Sequence, residues 1–305
     1  MRVTVAICTW NRCELLRQAL EQMTRLIIPS GVDWELLVVN NNCTDATDQV
    51  IAAYSTTLPI QRVFEPNPGL SNARNAAVRE ARGEYILWSD DDVVVDEHWL
   101  AAYVRAFHTR SEGVFFGGPV RPWFSVPPPS WLKRVWPQVA SFYATRDLGP
   151  EPLLVNSSSH VPFGANYGIR LLEHRKYLYD PILGRAPHRM TCGEETSLME
   201  RLIADGFEGW WVPDAIVQHY IPPERMTTTF IRSFCVGLGD CYAKTESYKG
   251  PTIMGKPLWV WRFAMMAEAK YRLRCLFSPP ELWMRDLITA SIAWGRLTSR
   301  KAKCR

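Results

Sequence analysis

Residues 85–92 of this 305-residue chain are Tyr-Ile-Leu-Trp-Ser-Asp-Asp-Asp, an apolar run followed at once by three carboxylates. The apolar residues predict a buried strand, and Asp90, Asp91 and Asp92 repel one another at the point where that strand ends. A hard divalent cation neutralises such a group, usually together with phosphate oxygens of a substrate. The alternative is a solvated acidic loop whose aspartates cap the next helix.

In the first hundred residues, short apolar segments typical of strands alternate with segments that have the apolar spacing of a helix. The predicted strands are residues 3–8, 34–39, 60–64 and 85–88. The predicted helices are residues 13–23, 45–54 with Thr44 as a cap, and 70–81. Strands that alternate with helices indicate βαβ units, and therefore an α/β fold with a mostly parallel sheet covered by helices on both faces.

Polar segments follow all four predicted strands. They are Thr9-Trp10-Asn11-Arg12, Asn40-Asn41-Asn42, Glu65-Pro66-Asn67 and Asp90-Asp91-Asp92. Because ligands of parallel sheets bind outside the carboxyl ends of the strands, these segments predict one shared site for a nucleotide-type ligand. The chain has neither a Gly-x-Gly-x-x-Gly after its first strand nor a Gly-x-x-x-x-Gly-Lys-Ser/Thr loop, which argues against the usual dinucleotide and P-loop sites.

The pattern changes after Gly117-Gly118-Pro119. Residues 122–152 are rich in Pro and Trp and predict irregular structure, whose aromatic rings either stack on sugars or pack within the protein. The elements predicted further on are a helix at 194–206, strands at 210–212 and 215–219, and helices containing 231–243, 259–276 and 282–297.

Composition bounds the class of protein. The chain is 47% hydrophobic and 22% charged, and 305 residues suffice for a large globular core. Met1 leads almost directly into a predicted strand, so we expect no secretory signal, and no apolar run has the length of a spanning helix. The eight cysteines show no zinc spacing and are expected to be reduced thiols of a cytoplasmic protein.

The net charge of +4 is unevenly distributed. Residues 256–305 hold 11 Lys and Arg against 3 acids, with four Trp among them. Basic helices of this kind suit peripheral contact with an anionic membrane, at the inner face of the cytoplasmic membrane. The alternative is packing on the rest of the protein with a solvated basic face. No nucleic-acid partner is expected, because the acidic strand ends lack a basic groove.

Seven short motifs occur in order along residues 1–225. They are Cys-Thr-Trp-Asn-Arg (8–12), Val-Val-Asn-Asn-Asn-Cys-Thr-Asp (38–45), Pro-Gly-Leu-Ser-Asn-Ala-Arg-Asn (68–75), Asp-Asp-Asp (90–92), Phe-Gly-Ala-Asn (163–166), Gly-Glu-Glu (193–195) and Val-Pro-Asp-Ala (212–215) with His219. This set resembles the bacterial family 2 glycosyltransferases of the GT-A fold. The resemblance implies a mostly parallel central sheet flanked by helices in residues 1–225, with a nucleotide-binding half (1–118) and an acceptor half (119–225). Residues 226–305 would form a basic, Trp-rich helical extension.

The resemblance also implies which residues hold the nucleotide sugar. The matching positions are Thr9, Asn11, Arg12, Asn40, Glu65, Arg74, Asp90 and Asp91. Asn40 stands where the family commonly has Asp, which removes a charge and leaves the identity of the base open. Arg74 would place a fixed cation near the diphosphate; the alternative is an arginine on the surface of a helix.

The acidic triplet resembles the family's DXD motif. The resemblance implies that Asp92 ligates Mn²⁺ or Mg²⁺, with Asp90 reaching the ribose or the metal shell, while Asp91 is the least assigned and could shape the turn. His219 matches a histidine that supplies a further metal ligand in many GT-A enzymes, and the alternative is a structural histidine. In this family the ion neutralises charge on the leaving nucleoside diphosphate.

Glu195 matches the position of the family's general base, which is usually Asp. Such a base takes the proton of the acceptor hydroxyl as its oxygen attacks the anomeric carbon. The alternative is that Glu194 and Glu195 stabilise the N-terminus of a helix through its dipole, which suits Glu194 best. We therefore favour Glu195 as the base, with Glu194 as the second candidate.

Taken together, the resemblance implies an inverting, metal-dependent glycosyltransferase. It would move a sugar from a nucleoside diphosphate sugar to a hydroxyl acceptor, a glycan or lipid-linked glycan, in bacterial surface polysaccharide or glycolipid synthesis. One alternative is a sugar-1-phosphate nucleotidyltransferase, although the Gly-rich basic loop it requires after the first strand is missing. The other is an inactive scaffold that docks at membranes through residues 256–305.

Overall fold

The computed structural model describes residues 1–186, 189–190, 193–245 and 251–299. The strands are β1 (Arg2–Thr9), β2 (Asp33–Asn40), β3 (Ile60–Phe64), β4 (Tyr85–Asp90), β5 (Val93–Val95), β6 (Phe115–Gly117), β7 (Val120–Phe124), β8 (Leu154–Val155), β9 (Asn166–Arg170), β10 (Arg185–Ala186), β11 (Arg189–Met190), β12 (Gly209–Trp211), β13 (Val217–Ile221), β14 (Thr252–Ile253) and β15 (Lys256–Pro257). The helices are α1 (Cys13–Met23), α2 (Thr47–Ala53), α3 (Leu70–Glu80), α4 (Trp99–Thr109), α5 (Ser130–Val139), α6 (Leu171–His174), α7 (Glu194–Ala204), α8 (Thr228–Thr245), α9 (Leu258–Phe277) and α10 (Pro280–Thr298).

Eight strands form the main sheet, in the order β3-β2-β1-β4-β9-β6-β12-β8. The first four run parallel, as the alternating pattern predicts. β9 runs antiparallel to both β4 and β6, so the sheet is mixed beyond β4. Alternate residues of β2 face opposite sides: Leu36 and Val38 join one hydrophobic cluster, and Leu37 and Val39 join the other. Burial on both faces explains why this strand is a continuous apolar run.

Helix α2 begins later than predicted. It starts at Thr47, and Thr44 makes no cap. Asp45 is instead part of the preceding turn, where its Oδ1 accepts hydrogen bonds from the backbone N–H and the hydroxyl of Thr47 at 3.1 and 2.5 Å. A short Asp side chain that bonds the backbone two residues on favours such a turn over a helix.

The Pro- and Trp-rich segment is more regular than predicted. It contains strand β7, helix α5 and a 3₁₀ turn at Ala140–Tyr143. Leu132, Val135 and Val139 recur on one face of α5 and are buried, which stabilises the helix despite Pro137 near its C-terminal end. The prediction of irregular structure was therefore wrong for residues 130–143.

A three-stranded sheet, in the order β5-β13-β7, lies beside the acidic triplet in sequence and space. His219 pairs in register with Val93, and the N–H of Tyr220 donates to the backbone oxygen of Asp92 at 2.9 Å. β13 begins at Val217 rather than at Ala215, because the N–H groups of Ala215 and Ile216 bond within a turn to Val212 and Asp214. His219 is consequently the middle residue of its strand, not the last.

The described residues divide into two compact units. The first comprises 1–123, 144–186 and 193–220, and the second comprises 124–143, 189–190, 221–245 and 251–299. Helix α5 thus belongs to the second unit, whereas the sequence assigned it to the acceptor half. The second unit has its own core, which includes Val135 of α5, Ile231 of α8 and Leu287 of α10. Over the described ranges, no helix combines the length and apolar character needed to cross a bilayer.

Candidate active site

The carboxyl ends of the four parallel strands meet at one edge of the main sheet. Thr9, the last residue of β1, is paired with Asn40, the last residue of β2. On the other side of β1, Cys8 is paired with Asp90, the last residue of β4. The structure therefore brings the predicted polar segments together, as expected for a parallel α/β sheet.

Asp91 accepts hydrogen bonds from residues at and just after the end of β1. The Thr9 hydroxyl donates to its Oδ2 at 2.8 Å, and Arg12 Nη1 donates to its Oδ1 at 3.1 Å. Arg12 Nη1 also donates to Oδ2 of Asp92 at 3.2 Å. Asp91 is buried, and burial raises its pKa to about 7 against the opposing effect of Arg12. Asp91 thus connects the turn after β4 to the end of β1, in line with the expectation that it could shape this turn.

Asp92 and His219 form a buried pair. Nε2 of His219 lies 3.4 Å from Oδ1 of Asp92, and both side chains are buried. Two donors in adjacent positions around one octahedral ion, at about 2.1 Å each, lie roughly 3 Å apart, so the separation suits a shared ion. Among the described residues no group of three or more His, Cys, Asp or Glu side chains could hold a metal. An ion held by Asp92 and His219 would take its remaining ligands from phosphate and water.

Arg74 joins the acidic triplet to the start of helix α7. Its Nη1 donates to Oε1 of Glu194 at 2.8 Å, and its Nη2 lies 3.5 Å from Oδ1 of Asp90. Nη2 also donates to the backbone oxygen of Gly164 at 3.1 Å. One guanidinium thus connects three motifs that are far apart in the sequence.

The surroundings of Arg74 are aromatic. Its guanidinium carbon lies 5.7, 5.7 and 5.5 Å from the ring centres of Trp88, Tyr167 and Tyr179. The side chain is 2% exposed. The alternative that Arg74 is a surface arginine was therefore wrong. A buried cation is held by paired carboxylates and ring faces, which replace the water it has lost.

Glu195 differs from its neighbour Glu194 in its partners. The Glu194 carboxylate is buried and paired with Arg74, whereas Glu195 is partly buried beside Gly164. Burial and the adjacent Glu194 carboxylate together raise the pKa of Glu195 to about 8, against the opposing effect of Arg74. A carboxyl with a raised pKa close to neutrality has the protonation behaviour expected of a general base.

Asn40 and Glu65 are held by neighbouring protein groups. The Asn40 amide donates to Asp48 Oδ1 at 2.7 Å, and its oxygen accepts from the N–H of Cys43 at 2.7 Å. Glu65 accepts from Asn67 at 2.9 Å and from Arg79 at 3.1 Å. Both side chains are buried, so they shape the edge of the site.

Asn11 sits in a strained turn. Its φ is +53°, in the left-handed region that Asn tolerates better than most residues. Its side-chain oxygen accepts from the N–H of Thr44 at 2.7 Å, and its own N–H donates to Sγ of Cys43 at 3.3 Å. These bonds tie the loop after β1 to the loop after β2.

Asn41 connects the ends of β2 and β3. Its amide donates to the backbone oxygens of Glu65 and Asn67 at 2.9 and 2.8 Å, and its oxygen accepts from the N–H of Gly69 at 2.9 Å. The sequence drew attention to Asn40 because of the family pattern. Asn41 makes three hydrogen bonds between these strand ends, and the sequence marked it only as part of the run of three Asn.

Asn166 is a buried hub, a side chain that hydrogen-bonds four other residues. Its oxygen accepts from Trp99 Nε1 and from the Tyr103 hydroxyl, each at 2.8 Å. Its amide donates to the backbone oxygens of Pro119 and Ala215 at 3.0 and 2.6 Å. The Phe-Gly-Ala-Asn motif flagged this residue without indicating its role.

Comparison with known proteins decides the family. Residues 4–159, slightly more than half of the chain, match the model described as glycosyl transferase family 2. The chain belongs to this family. The family prediction made from the seven motifs is confirmed.

Relatives within family 2 are distant. The succinoglycan biosynthesis protein ExoM of Rhizobium meliloti is 22% identical over 135 residues, which are 44% of this chain and 43% of that protein. The uncharacterized glycosyltransferase YwdF of Bacillus subtilis is 36% identical over 95 residues, 30% of this chain and 33% of that protein. The chain thus spans less than half the length of these curated relatives.

Solved structures confirm the predicted GT-A fold of this family 2 chain. The mannosyltransferase PcManGT of Pyrobaculum calidifontis, in complex with GDP-Man and Mn²⁺, aligns with a TM-score of 0.63 at 16% identity, covering 97% of this chain and 87% of that one. Residues 1–349 of Staphylococcus aureus TarS align with a TM-score of 0.55 at 13% identity, covering 97% and 89%.

Proposed function

We propose that this chain transfers a sugar from a nucleoside diphosphate sugar to a hydroxyl of a glycan or lipid-linked glycan, with inversion at the anomeric carbon and with Mn²⁺ or Mg²⁺. The observation that carries the proposal is the Arg74 bridge. The guanidinium of Arg74 contacts both Asp90 of the acidic triplet and Glu194, the neighbour of the candidate base. The donor-binding side and the proton-accepting side of a transferase site must lie this close, because one displacement joins them.

The donor is proposed to lie across the ends of β1, β2 and β4. Thr9 and Asn11 shape the end of β1, while Asn40 and Glu65 line the neighbouring strand ends. Asp48, which the sequence did not single out, adds a half-exposed carboxylate bonded to Asn40. Both oxygens of Asp48 also accept from Arg62, at 2.7 and 2.9 Å, so its charge is already paired within the protein.

Asp92 and His219 are the residues that would hold the metal ion. When bound, the ion supplies positive charge for the diphosphate of the donor. Arg12 donates to Oδ2 of Asp92, and we propose that Oδ1, which faces His219, is the atom that would bind the ion. The complex of PcManGT with GDP-Man and Mn²⁺ supports divalent-metal use in this fold.

Glu195 is the proposed general base. In its ionised form it takes the proton of the acceptor hydroxyl while that oxygen bonds to the anomeric carbon. The bond from that carbon to the diphosphate breaks in the same displacement, and the nucleoside diphosphate leaves with the electron pair. Glu194 remains bound to Arg74 and orients the start of α7.

Relatives named for succinoglycan biosynthesis and for poly(ribitol-phosphate) glycosylation support a role in bacterial surface polysaccharide or glycolipid synthesis. We propose that the chain acts in the cytoplasm, at the inner face of the membrane, where lipid-linked acceptors are exposed. Family membership favours transfer of the sugar over transfer of a nucleotidyl group.

Thermal unfolding in the presence of nucleoside diphosphates and nucleotide sugars tests the binding half of the proposal. At least one uridine, guanosine or thymidine diphosphate sugar should raise the unfolding midpoint with Mn²⁺, and less so with excess chelator. Asp92→Asn should lose the metal-dependent part of the shift. Asp33→Asn, an exposed aspartate at the opposite end of β2, serves as the matched control. No stabilisation by any nucleotide in wild-type protein would refute the proposed function.

A further inference from the structure

Helix α9 exposes an apolar strip to solvent. At 3.6 residues per turn, six large side chains fall within about 140° of the helix circumference. They are Trp259, Phe263, Met266, Leu273, Leu276 and Phe277, and all are exposed, Leu276 by 72% and Phe277 by 86%. Exposed apolar patches of this kind mark sites that contact a membrane or another protein.

The opposite face of α9 is also apolar, and it is buried against α10. Val260, Ala264 and Ala267 are buried, and the first two share a cluster with Ala293 and Leu297 of α10. The helix therefore needs only one of its two apolar faces to fold onto its own unit. The exposed strip is not explained by packing within that unit.

Basic side chains lie within and beside the strip. Arg262 and Lys270 fall inside its arc of about 140°, Arg272 and Arg274 lie just outside it, and all four are exposed. The last three pair with Glu268 and Asp286, whose carboxylates are about one-tenth exposed. The outward side of the helix thus combines apolar and basic side chains and carries a net positive charge.

We propose that α9 lies on the surface of an anionic lipid bilayer, with its exposed apolar side chains in the interfacial region and its basic side chains on the phospholipid headgroups. The helix has 20 residues, is about 30 Å long, and exposes Trp and Phe together with Lys and Arg, side chains that suit a membrane interface. The charge distribution selects this occupant over a second copy of the chain. A symmetric dimer through the strip would bring the basic side chains of two copies together, whereas anionic headgroups neutralise them.

The proposal is independent of catalysis and is tested by binding alone. Purified full-length chain is floated with phosphatidylcholine vesicles, with and without about one third phosphatidylglycerol. The chain should bind the anionic vesicles, and binding should fall at high salt. Leu273→Asp with Phe277→Asp should weaken binding about tenfold or more without lowering the unfolding midpoint. Arg262→Gln should weaken it roughly fivefold.

Leu172→Asp is the matched control, because Leu172 is 64% exposed and lies in the other unit. It should bind vesicles as the wild type does. Equal binding to neutral and anionic vesicles, or unchanged binding by the double Asp variant, would overturn the proposal. A wild-type dimer that the double variant converts to a monomer, without vesicle binding, would assign the strip to a second copy instead.

Discussion

Arg74 donates a 2.8 Å hydrogen bond to Glu194, and the two side chains are buried together beneath the acidic triplet. The same guanidinium lies 3.5 Å from Asp90. This buried cation is costly to remove, because the buried carboxylate of Glu194 then lacks its counter-charge, whereas Asp90 is 31% exposed. The bridge therefore couples the integrity of the donor edge to the position of the candidate base.

Arg74→Met should lower the free energy of unfolding by about 3–5 kcal/mol, since it leaves the buried carboxylate of Glu194 unpaired. Adding Glu194→Gln should recover part of that loss, which chemical denaturation of the single and double variants would measure. Arg105→Met is the control, because Arg105 and its partner Asp214 are both exposed, and it should cost at most about 1 kcal/mol. A similar cost for the two arginines would contradict the bridge.

If Glu195 is the base, its protonation should lower kcat/KM at low pH, which gives the pH profile an acidic limb. Its folded pKa is raised to about 8, and only the ionised carboxylate accepts a proton, so kcat/KM should rise with pH towards and through about 8. Glu195→Gln should reduce kcat by about 10²–10⁴-fold, abolish that limb and leave nucleotide binding intact. Glu200→Gln, an exposed glutamate on the same helix, is the control and should leave the profile unchanged. Retention of the limb in Glu195→Gln would assign the base elsewhere.

Asn166→Ala should destabilise the first unit by about 3 kcal/mol or more. The substitution leaves the Trp99 and Tyr103 donors and two backbone oxygens without their buried partner, and each unsatisfied group costs about 1–3 kcal/mol. Asn72→Ala, which loses one exposed hydrogen bond to Pro68, should cost well under that amount. Equal unfolding free energies for the two variants would refute the role of Asn166 as a hub.

The stereochemistry of transfer follows from the single displacement. An α-linked nucleotide sugar should yield a β-linked product, because the acceptor oxygen attacks the face opposite to the leaving diphosphate. Proton NMR of the product's anomeric signal measures the outcome. An α-linked product would require a different mechanism and would remove Glu195 from its proposed role.

The sequence predicted the parallel half of the fold well because each of its strands is a buried apolar run that ends in polar residues. The run at 85–88 and the polar end at Asp90 are what a strand buried on both faces requires. The antiparallel insertion of β9 carried no such signal, since strand order depends on pairing between distant segments. Helix α5 was missed because Pro and Trp suggest irregular structure, and its burial depends on residues from the second unit.

The site residues were found as motifs, but their partners were not. Asp91 was expected to matter least, yet Thr9 and Arg12 hold both of its oxygens. Arg74 was predicted to meet either diphosphate or solvent, and the structure surrounds it with three aromatic rings. Except for the contact between Arg74 and Trp88, these contacts join residues more than 70 positions apart, and nothing local in the sequence indicates them.

The most direct test of the account is the release of nucleoside diphosphate from the donor that stabilises the wild-type chain, measured with Mn²⁺ and a hydroxyl acceptor. We predict turnover by wild type and by Asp33→Asn. Turnover should be lost in Asp92→Asn and in wild type with excess chelator. Equal turnover by Asp92→Asn and wild type, or undiminished wild-type turnover in excess chelator, would contradict the proposed site.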